Sequence, residues 1–357
     1  MSEEMQRLQT QLDGLNLQLL QLLSERARMV GELYYKKETL GMTEADLVNV
    51  QQTLIELVAN NPGPLDNETL MHLFKEIIQS FPKVKKEATT RRKLLVSRQS
   101  KSEDTIIRVK NIEIGGSSHI MVAGPCSIES KNQLLTVAAA LKDAGVTVLR
   151  GGAFKPRTSP YDFQGLGEEG VKIMKEVADE VDMVSICEIM TPSQIEKAAP
   201  YIDIFQIGAR NMQNFDLLKA VGQCNMPVLL KRGLSATMEE FIYAAEYILY
   251  HGNDQVMLIE RGIRTYEKWT RNTLDISAVP ILKQETHLPV LVDVTHSTGR
   301  KDILLACAKA ALAAGADGIM VEVHPDPQAA LSDANQQLNI PEFNTFWKGL
   351  LHSGLYH

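Results

Sequence analysis

Eight short apolar runs, separated by segments of helical periodicity, constrain this chain more than anything else in it: 120–123, 146–149, 183–186, 204–207, 228–230, 255–259, 290–292 and 318–321. A near-continuous apolar run is what a strand buried on both faces looks like, and strands joined through helices run parallel. Eight such repeats close a sheet on itself, so the expected fold is α/β, a (β/α)8 TIM barrel, with an open doubly wound sheet as the alternative. Barrels of this kind carry their chemistry at the C-terminal ends of the strands. Those ends offer Cys126, Arg150, Glu188, Arg210, Lys231, Arg261, His296 and Glu322. Each has a bland explanation alone, as a small core residue or a surface cation. Coincidence at every strand is much harder to accept.

The set divides by chemistry. Arg150, Lys155, Arg210, Lys231 and Arg261 form an anion cluster, because guanidinium forks and ammonium groups suit carboxylate and phosphate. That is more positive charge than one monoanion requires, which implies a substrate bearing both phosphate and carboxylate, or two anionic substrates. Cys126, His296 and Glu322, with Asp333 in the following Leu331-Ser332-Asp333 segment, offer one sulfur, one nitrogen and two oxygens. Such a mixed set suits a divalent transition metal and leaves a coordination position for a substrate oxygen. The segment Arg150-Gly151-Gly152-Ala153-Phe154-Lys155-Pro156-Arg157-Thr158-Ser159-Pro160 brings three cations out of one strand. Its glycines admit a ligand to the backbone and its prolines stiffen the loop, although a plain solvated loop can read the same way.

The first part of the chain is different. Leu8, Leu12, Leu15, Leu19, Leu22, Leu23, Met29, Val30 and Leu33 recur at helical spacing between Met5 and about Lys37. A second helix opens at Thr43, a candidate N-cap, and Asn60-Asn61-Pro62-Gly63-Pro64 stops it. A third begins near Asp66 and is expected to end or kink at Pro82. The resulting division is an all-α three-helix domain over 1–90, a polar and basic linker over 91–104, and a barrel with a short N-terminal hairpin over 105–357. The first helix is too long to be covered by its own small domain, so a homo-oligomer, dimer or tetramer, is expected.

Composition excludes several classes. The net charge of −7 opposes nucleic acid as a partner, and the basic linker lacks the interleaved aromatic residues of a single-strand binder. No apolar run reaches the roughly 20 residues that span a membrane. Met1-Ser2-Glu3-Glu4 lacks the pattern of a signal peptide, so a cytoplasmic location is expected. The four cysteines, Cys126, Cys187, Cys224 and Cys307, show no paired spacing and are expected to be free unless a metal claims one.

Five motifs carry a resemblance: Gly124-Pro125-Cys126-Ser127-Ile128-Glu129-Ser130, the Arg150–Pro160 segment, Gln206-Ile207-Gly208-Ala209-Arg210-Asn211, Glu260-Arg261-Gly262-Ile263-Arg264-Thr265 and Glu322-Val323-His324-Pro325. Residues from about 105 to 345 resemble the 3-deoxy-D-arabino-heptulosonate 7-phosphate (DAHP) synthases of the short, type I beta subfamily. The resemblance implies condensation of phosphoenolpyruvate with erythrose 4-phosphate, the entry step of the shikimate pathway. It implies phosphoenolpyruvate binding by Arg150, Lys155, Ala209, Arg210, Lys231 and Arg261, and erythrose 4-phosphate binding by Arg157 and Thr158. It also implies metal ligation by Cys126, His296, Glu322 and Asp333, and catalytic roles for Lys155, Glu188 and His296. Mn²⁺ is the first expectation for the metal, with Fe²⁺, Zn²⁺ and Co²⁺ as alternatives. A related synthase using arabinose 5-phosphate is the competing enzyme reading, and a retired barrel serving as an effector-binding scaffold is the non-enzymatic one.

The N-terminal part resembles the helical chorismate mutases fused to some DAHP synthases. Arg26 and Lys37 match two positions of that family's pocket. The first-helix arginine falls at Gln9, the second-helix Arg-Glu pair reads Asn49-Val50, and the third-helix polar position falls near Lys85, beyond Pro82. These departures imply a degenerate mutase, kept for dimerisation and for sensing prephenate or chorismate, with a weakly active mutase as the alternative.

Overall fold

The computed structural model describes residues 3–39, 50–88, 93–157 and 159–357. The chain divides into two compact units, Met1–Lys93 and Leu94–His357.

The first unit contains α1 (Glu3–Thr39), α2 (Val50–Ala59) and α3 (Asn67–Ala88). The expected opening of α2 at Thr43 lies outside the described residues. Helix α3 runs through Pro82 instead of ending there. Proline's fixed φ near −65° is itself helical, and its cost is one missing donor and a clash with the preceding turn, which the long helix absorbs. On α1, Leu8, Leu12, Leu15, Leu19 and Leu22 are each more than half exposed.

The second unit opens with a hairpin, β1 (Ile107–Val109) and β2 (Ile112–Ile114), paired antiparallel. The barrel strands follow: β3 (Ile120–Gly124), β4 (Val148–Arg150), β5 (Val184–Ile189), β6 (Ile204–Ile207), β7 (Val228–Lys231), β8 (Val256–Glu260), β9 (Val290–Asp293) and β10 (Gly318–Glu322). Between and after them come α4 (Lys131–Asp143), α5 (Glu168–Glu180), α6 (Ser193–Ala198), α7 (Phe215–Gly222), α8 (Met238–Tyr250), α9 (Ala278–Glu285), α10 (Val294–Thr298), α11 (Leu304–Ala313) and α12 (Ile340–Leu351). The eight strands form a closed barrel in sequence order, every pair parallel, with β10 against β3. This excludes the open doubly wound sheet. No helix among the described residues is long and apolar enough to cross a membrane.

The strands alternate between two cores. Met121, Ala123, Leu149, Cys187, Phe205, Leu230 and Val292 face the helix layer. Val122, Val148, Ile186, Ile204, Leu229, Ile259, Leu291 and Met320 fill the barrel, and Ile107, Val109 and Ile114 of the hairpin plug it from below. Side chains two residues apart on a strand point the same way. The next inward positions are therefore Gly124, Arg150, Glu188, Gln206, Lys231, Arg261, Asp293 and Glu322. In every strand but β3, where Gly124 stands, the inward column changes from apolar to chemically active within one step. Cys126, Arg210 and His296, expected at strand ends, lie just beyond them, on a loop, a 3₁₀ turn (Ala209–Asn211) and α10.

The expected linker is a correction. Its later residues, 94–104, are seated on the barrel unit: Val96 is fully buried and Ser97 makes an antiparallel bridge to Thr286. Both carboxylate oxygens of Glu246 accept backbone N–H bonds, from Leu95 and Val96, at 3.0 Å. Glu246 and His287 satisfy this backbone, His287 Nε2 donating to Leu95 O at 2.8 Å. Replacing Glu246 with Ala leaves two donors short of a partner, so we expect it to lower the stability of the barrel unit by about 1–3 kcal/mol in denaturant unfolding.

Candidate active site

The inward column of β9 ends in Asp293, which is wholly buried and bonds to the Lys231 ammonium and the His296 imidazole. Its Oδ2 accepts from Lys231 Nζ at 2.6 Å and from His296 Nδ1 at 2.7 Å, while Oδ1 caps α10 by accepting the His296 N–H at 2.9 Å. Burial opposes ionisation here, but His296 and Lys231 outweigh it and hold the carboxyl well below its usual range. An ionised Asp293 only accepts, so the His296 proton sits on Nδ1 and leaves the Nε2 lone pair facing the barrel mouth.

Nε2 looks onto a cluster of donors. Glu322 Oε1 is 3.2 Å away and Asp333 Oδ2 is 3.6 Å away, and Cys126 Sγ lies 3.7 Å from that same Asp333 oxygen. One donor atom from each of Cys126, His296, Glu322 and Asp333 falls within 4.8 Å of all the others. Sulfur, imidazole nitrogen and two carboxylates converge on one point with the imidazole already oriented by a buried carboxylate. These residues fit a divalent transition metal.

The cations meet the same point from the other side. A cavity of about 240 Å³ is lined by the cations Arg150, Lys155, Arg157, Arg210, Lys231, Arg261 and Arg271, and by Asp162, Glu188 and His296. Arg261 donates from Nη2 to His296 O at 3.2 Å, while its Nε and Nη1 are buried without a hydrogen-bond partner among the described residues. Arg150 Nε is likewise unpartnered. Burying an N–H of a cation without an acceptor is costly, so these groups call for an anion in the cavity. Glycine makes room for the cluster at two places. A Cβ at Gly208 would stand 1.9 Å from Glu188 Oε1, and one at Gly152 would stand 2.8 Å from the Lys155 side chain.

The anion and metal sets, separate in the sequence reading, interlock. Arg150 Nη1 donates to Glu322 Oε1 at 2.9 Å and to Pro125 O at 2.7 Å. Lys155 Nζ lies 3.1 Å from Cys126 Sγ and donates to Cys126 O at 2.9 Å. Ala209 and Arg210 form the turn at the lip, and Arg157 reaches Asp162 at 3.3 Å. Thr158 lies outside the described residues. In the first unit, Arg26 and Lys37 both belong to α1, about three turns apart and so on one face of that helix. Gln9 bonds to Asp13 at 3.1 Å.

Sequence reasoning missed Asp293, Gln206, Arg271 and Gln336. The first two were legible, because counting every second residue from the apolar column lands on them. The others were not, since they sit on loops whose meeting is purely tertiary. Arg271 donates to Asp333 at 3.1 Å and to Gln336 at 2.6 Å, and Gln336 donates to Glu322 at 2.6 Å.

Residues 96–353 match the model of the DAHP synthetase I family. The chain belongs to that family. Residues 8–86 match the chorismate mutase type II family, which gives it a domain of that type at its N-terminus. The phospho-2-dehydro-3-deoxyheptonate aldolase of Thermotoga maritima is 54% identical over 249 residues, 70% of this chain and 74% of that protein. A 2-dehydro-3-deoxyphosphooctonate aldolase of Koribacter versatilis is 32% identical over 254 residues, 65% of this chain and 90% of that protein. The crystal structure of the Thermotoga maritima DAHP synthase superposes with a TM-score of 0.72 at 49% identity, covering 74% of this chain and 78% of that one.

The site makes a pH prediction. Burial, reinforced by Glu322, pushes the Cys126 thiol up to about 11, and burial pushes His296 down despite Asp293. At neutral pH the free site holds a thiol and a neutral imidazole, so a cation binding through the thiolate must expel one proton. Apparent Co²⁺ affinity should then rise about tenfold per pH unit between pH 7 and 8.5 in calorimetric titration, with about one proton released. A flat profile would exclude Cys126 as a thiolate ligand.

Proposed function

We propose that the barrel condenses phosphoenolpyruvate with D-erythrose 4-phosphate and water to give DAHP and inorganic phosphate. The observation that carries this reading is one cavity lined by seven cationic side chains, two of them with buried N–H groups that find no partner among the described residues, directly beside a four-donor metal cluster. Membership of the DAHP synthetase I family supports the same reaction.

In this reading Arg150, Lys155, Arg210, Lys231 and Arg261, with the turn at Ala209, hold the carboxylate and phosphate of phosphoenolpyruvate. Arg157 and Thr158 bind the sugar phosphate. Cys126, His296, Glu322 and Asp333 would hold the divalent cation, Mn²⁺ before Fe²⁺, Zn²⁺ or Co²⁺, which when bound supplies Lewis acidity to a carbonyl oxygen. Carbon–carbon bond formation turns the aldehyde oxygen into an alkoxide, to which in this reading the Lys155 ammonium gives a proton. Water then adds at C2, and Glu188 accepts its proton. The cationic cluster holds the negative charge on phosphate as it leaves. Asp293 keeps Lys231 and His296 in place throughout. Burial lowers the proton affinity of Lys231, with Asp293 opposing, so this ammonium is prepared to share its proton with a phosphate oxygen.

The Koribacter relative makes the sugar the sharpest question. Turnover with erythrose 4-phosphate should exceed that with arabinose 5-phosphate by at least about a hundredfold, a difference of about 2.7 kcal/mol in transition-state binding. Arg157→Ala should raise the KM for erythrose 4-phosphate much more than that for phosphoenolpyruvate. Equal shifts, or faster turnover of the pentose phosphate, would refute the assignment. Chelator-stripped enzyme should lose activity and regain it with one of the four metals.

For the first unit we read a degenerate mutase retained for regulation and for pairing two copies through the exposed α1 leucines. A dianion site lacking cations at Gln9 and Asn49 loses charge-assisted hydrogen bonds of about 1.5–3 kcal/mol each. The continuity of α3 keeps Lys85 on the helix and so removes one of the reasons for calling the site degenerate. Weak mutase activity is the alternative. Conversion of chorismate to prephenate by the full chain should be at background, while prephenate or chorismate should inhibit the synthase and Lys37→Ala should relieve that inhibition. Robust mutase turnover would refute degeneracy, and a synthase indifferent to both metabolites would refute sensing.

A further inference from the structure

The four metal-binding candidates come from separate places in the chain, and two of them, Cys126 and Asp333, lie on loops rather than on strands or helices. A strand fixes its own side chains through its ladder, but a loop needs other partners. Gln337 supplies them. It is wholly buried, its Oε1 accepts the Cys126 N–H at 2.9 Å, and its Nε2 donates to Ser332 O at 2.8 Å. One planar amide thus touches the backbone of one donor residue and the backbone of the residue preceding another.

The Asp333 side of this bridge needs holding. Asp333 has φ +48°, a left-handed conformation that aspartate tolerates better than most residues but that still costs energy away from glycine. Two further contacts run along the same seam: Ser127 Oγ to Ser332 Oγ at 2.8 Å, and the Leu331 N–H to Glu129 Oε1 at 2.8 Å. The adjacent Gln336 works on side chains, Glu322 and Asp333, whereas Gln337 joins the two loop backbones through both ends of its amide.

We propose that Gln337 is a positioning residue that sets the separation between Cys126 Sγ and Asp333, and so adapts the donor set to a cation bound through thiolate. The proposal rests on the metal reading of the site given above. Among variants of similar size, Gln337→Leu removes both hydrogen bonds, and an ionised Gln337→Glu keeps the acceptor for Cys126 but loses the donor for Ser332.

The test is Co²⁺ titration of the full-length, chelator-stripped protein, followed by thiolate-to-cobalt charge-transfer absorption and calorimetry. The wild type should show the band. Gln337→Leu should bind Co²⁺ about 10–100-fold more weakly, with less absorption per bound ion, and Gln337→Glu should fall between. The same change made in a Cys126→Ser background should cost much less, since the sulfur it positions is gone. A general loosening of the barrel would weaken both backgrounds equally, and that result overturns the proposal, as does unchanged Co²⁺ affinity in folded Gln337→Leu. If Gln337→Leu does not fold, Gln337→Glu carries the same cycle with the same criteria. Absence of the band in the wild type overturns the metal reading and this proposal with it, which separates that failure from a failure of positioning alone.

Discussion

The pairing of β10 with β3 is the constraint on which the rest of the structure depends. Five consecutive residues pair, from Gly318 against Ile120 to Glu322 against Gly124, and this closes the barrel. Closure removes the sheet edges, and it brings the loop after Gly124 alongside the loop after Glu322. Small residues make the close approach possible. A Cβ on Gly318 would press on Ile120 at this seam, and one on Gly124 would press on the Arg150 carbonyl oxygen of β4, on the other side of β3. With the seam closed, Arg150 reaches Glu322 across β3, and the cysteine and the aspartate that follow the two strands come within 3.7 Å.

A closed barrel concentrates charge, and this one pairs most of it. Lys231 with Asp293 and Arg150 with Glu322 are ion pairs almost entirely withdrawn from water. Burying such pairs carries a desolvation cost that their attraction only partly offsets, whereas removing one partner typically costs about 3–5 kcal/mol. The apolar layers beneath, from the hairpin plug to Leu291 and Met320, stabilise the fold that keeps these groups in place. What the pairs leave over is directional: unpartnered N–H groups on Arg150 and Arg261, and an imidazole lone pair on His296. The site is thus neutralised on its outer side and left open toward the cavity.

Legibility in the sequence followed the range of the interactions. The strand and helix pattern announced a parallel barrel because each run had to satisfy two apolar faces, and the chemical residues followed at regular places. Asp293 and Gln206 obey the same period of two, and each is the last inward residue of its strand, just before His296 and Arg210 beyond the strand ends. Pro82 and the segment 94–104 misled for a different reason. Local composition weighed against structure in both, but the long α3 absorbs one missing donor, and Glu246 with His287 satisfies a backbone that the sequence leaves without visible partners.

By itself, then, the sequence determined the class of fold, the choice of residue at each inward strand position and the supply of metal donors, because periodicity and side-chain chemistry are local properties. Only the tertiary structure decided that the anion cluster and the metal set share atoms, with Arg150 on Glu322 and Lys155 on Cys126. It also decided that loop residues such as Arg271, Gln336 and Gln337 brace them. Those contacts join residues as far apart in the chain as Cys126 and Gln337. No local pattern encodes them, since they exist only once the barrel has closed.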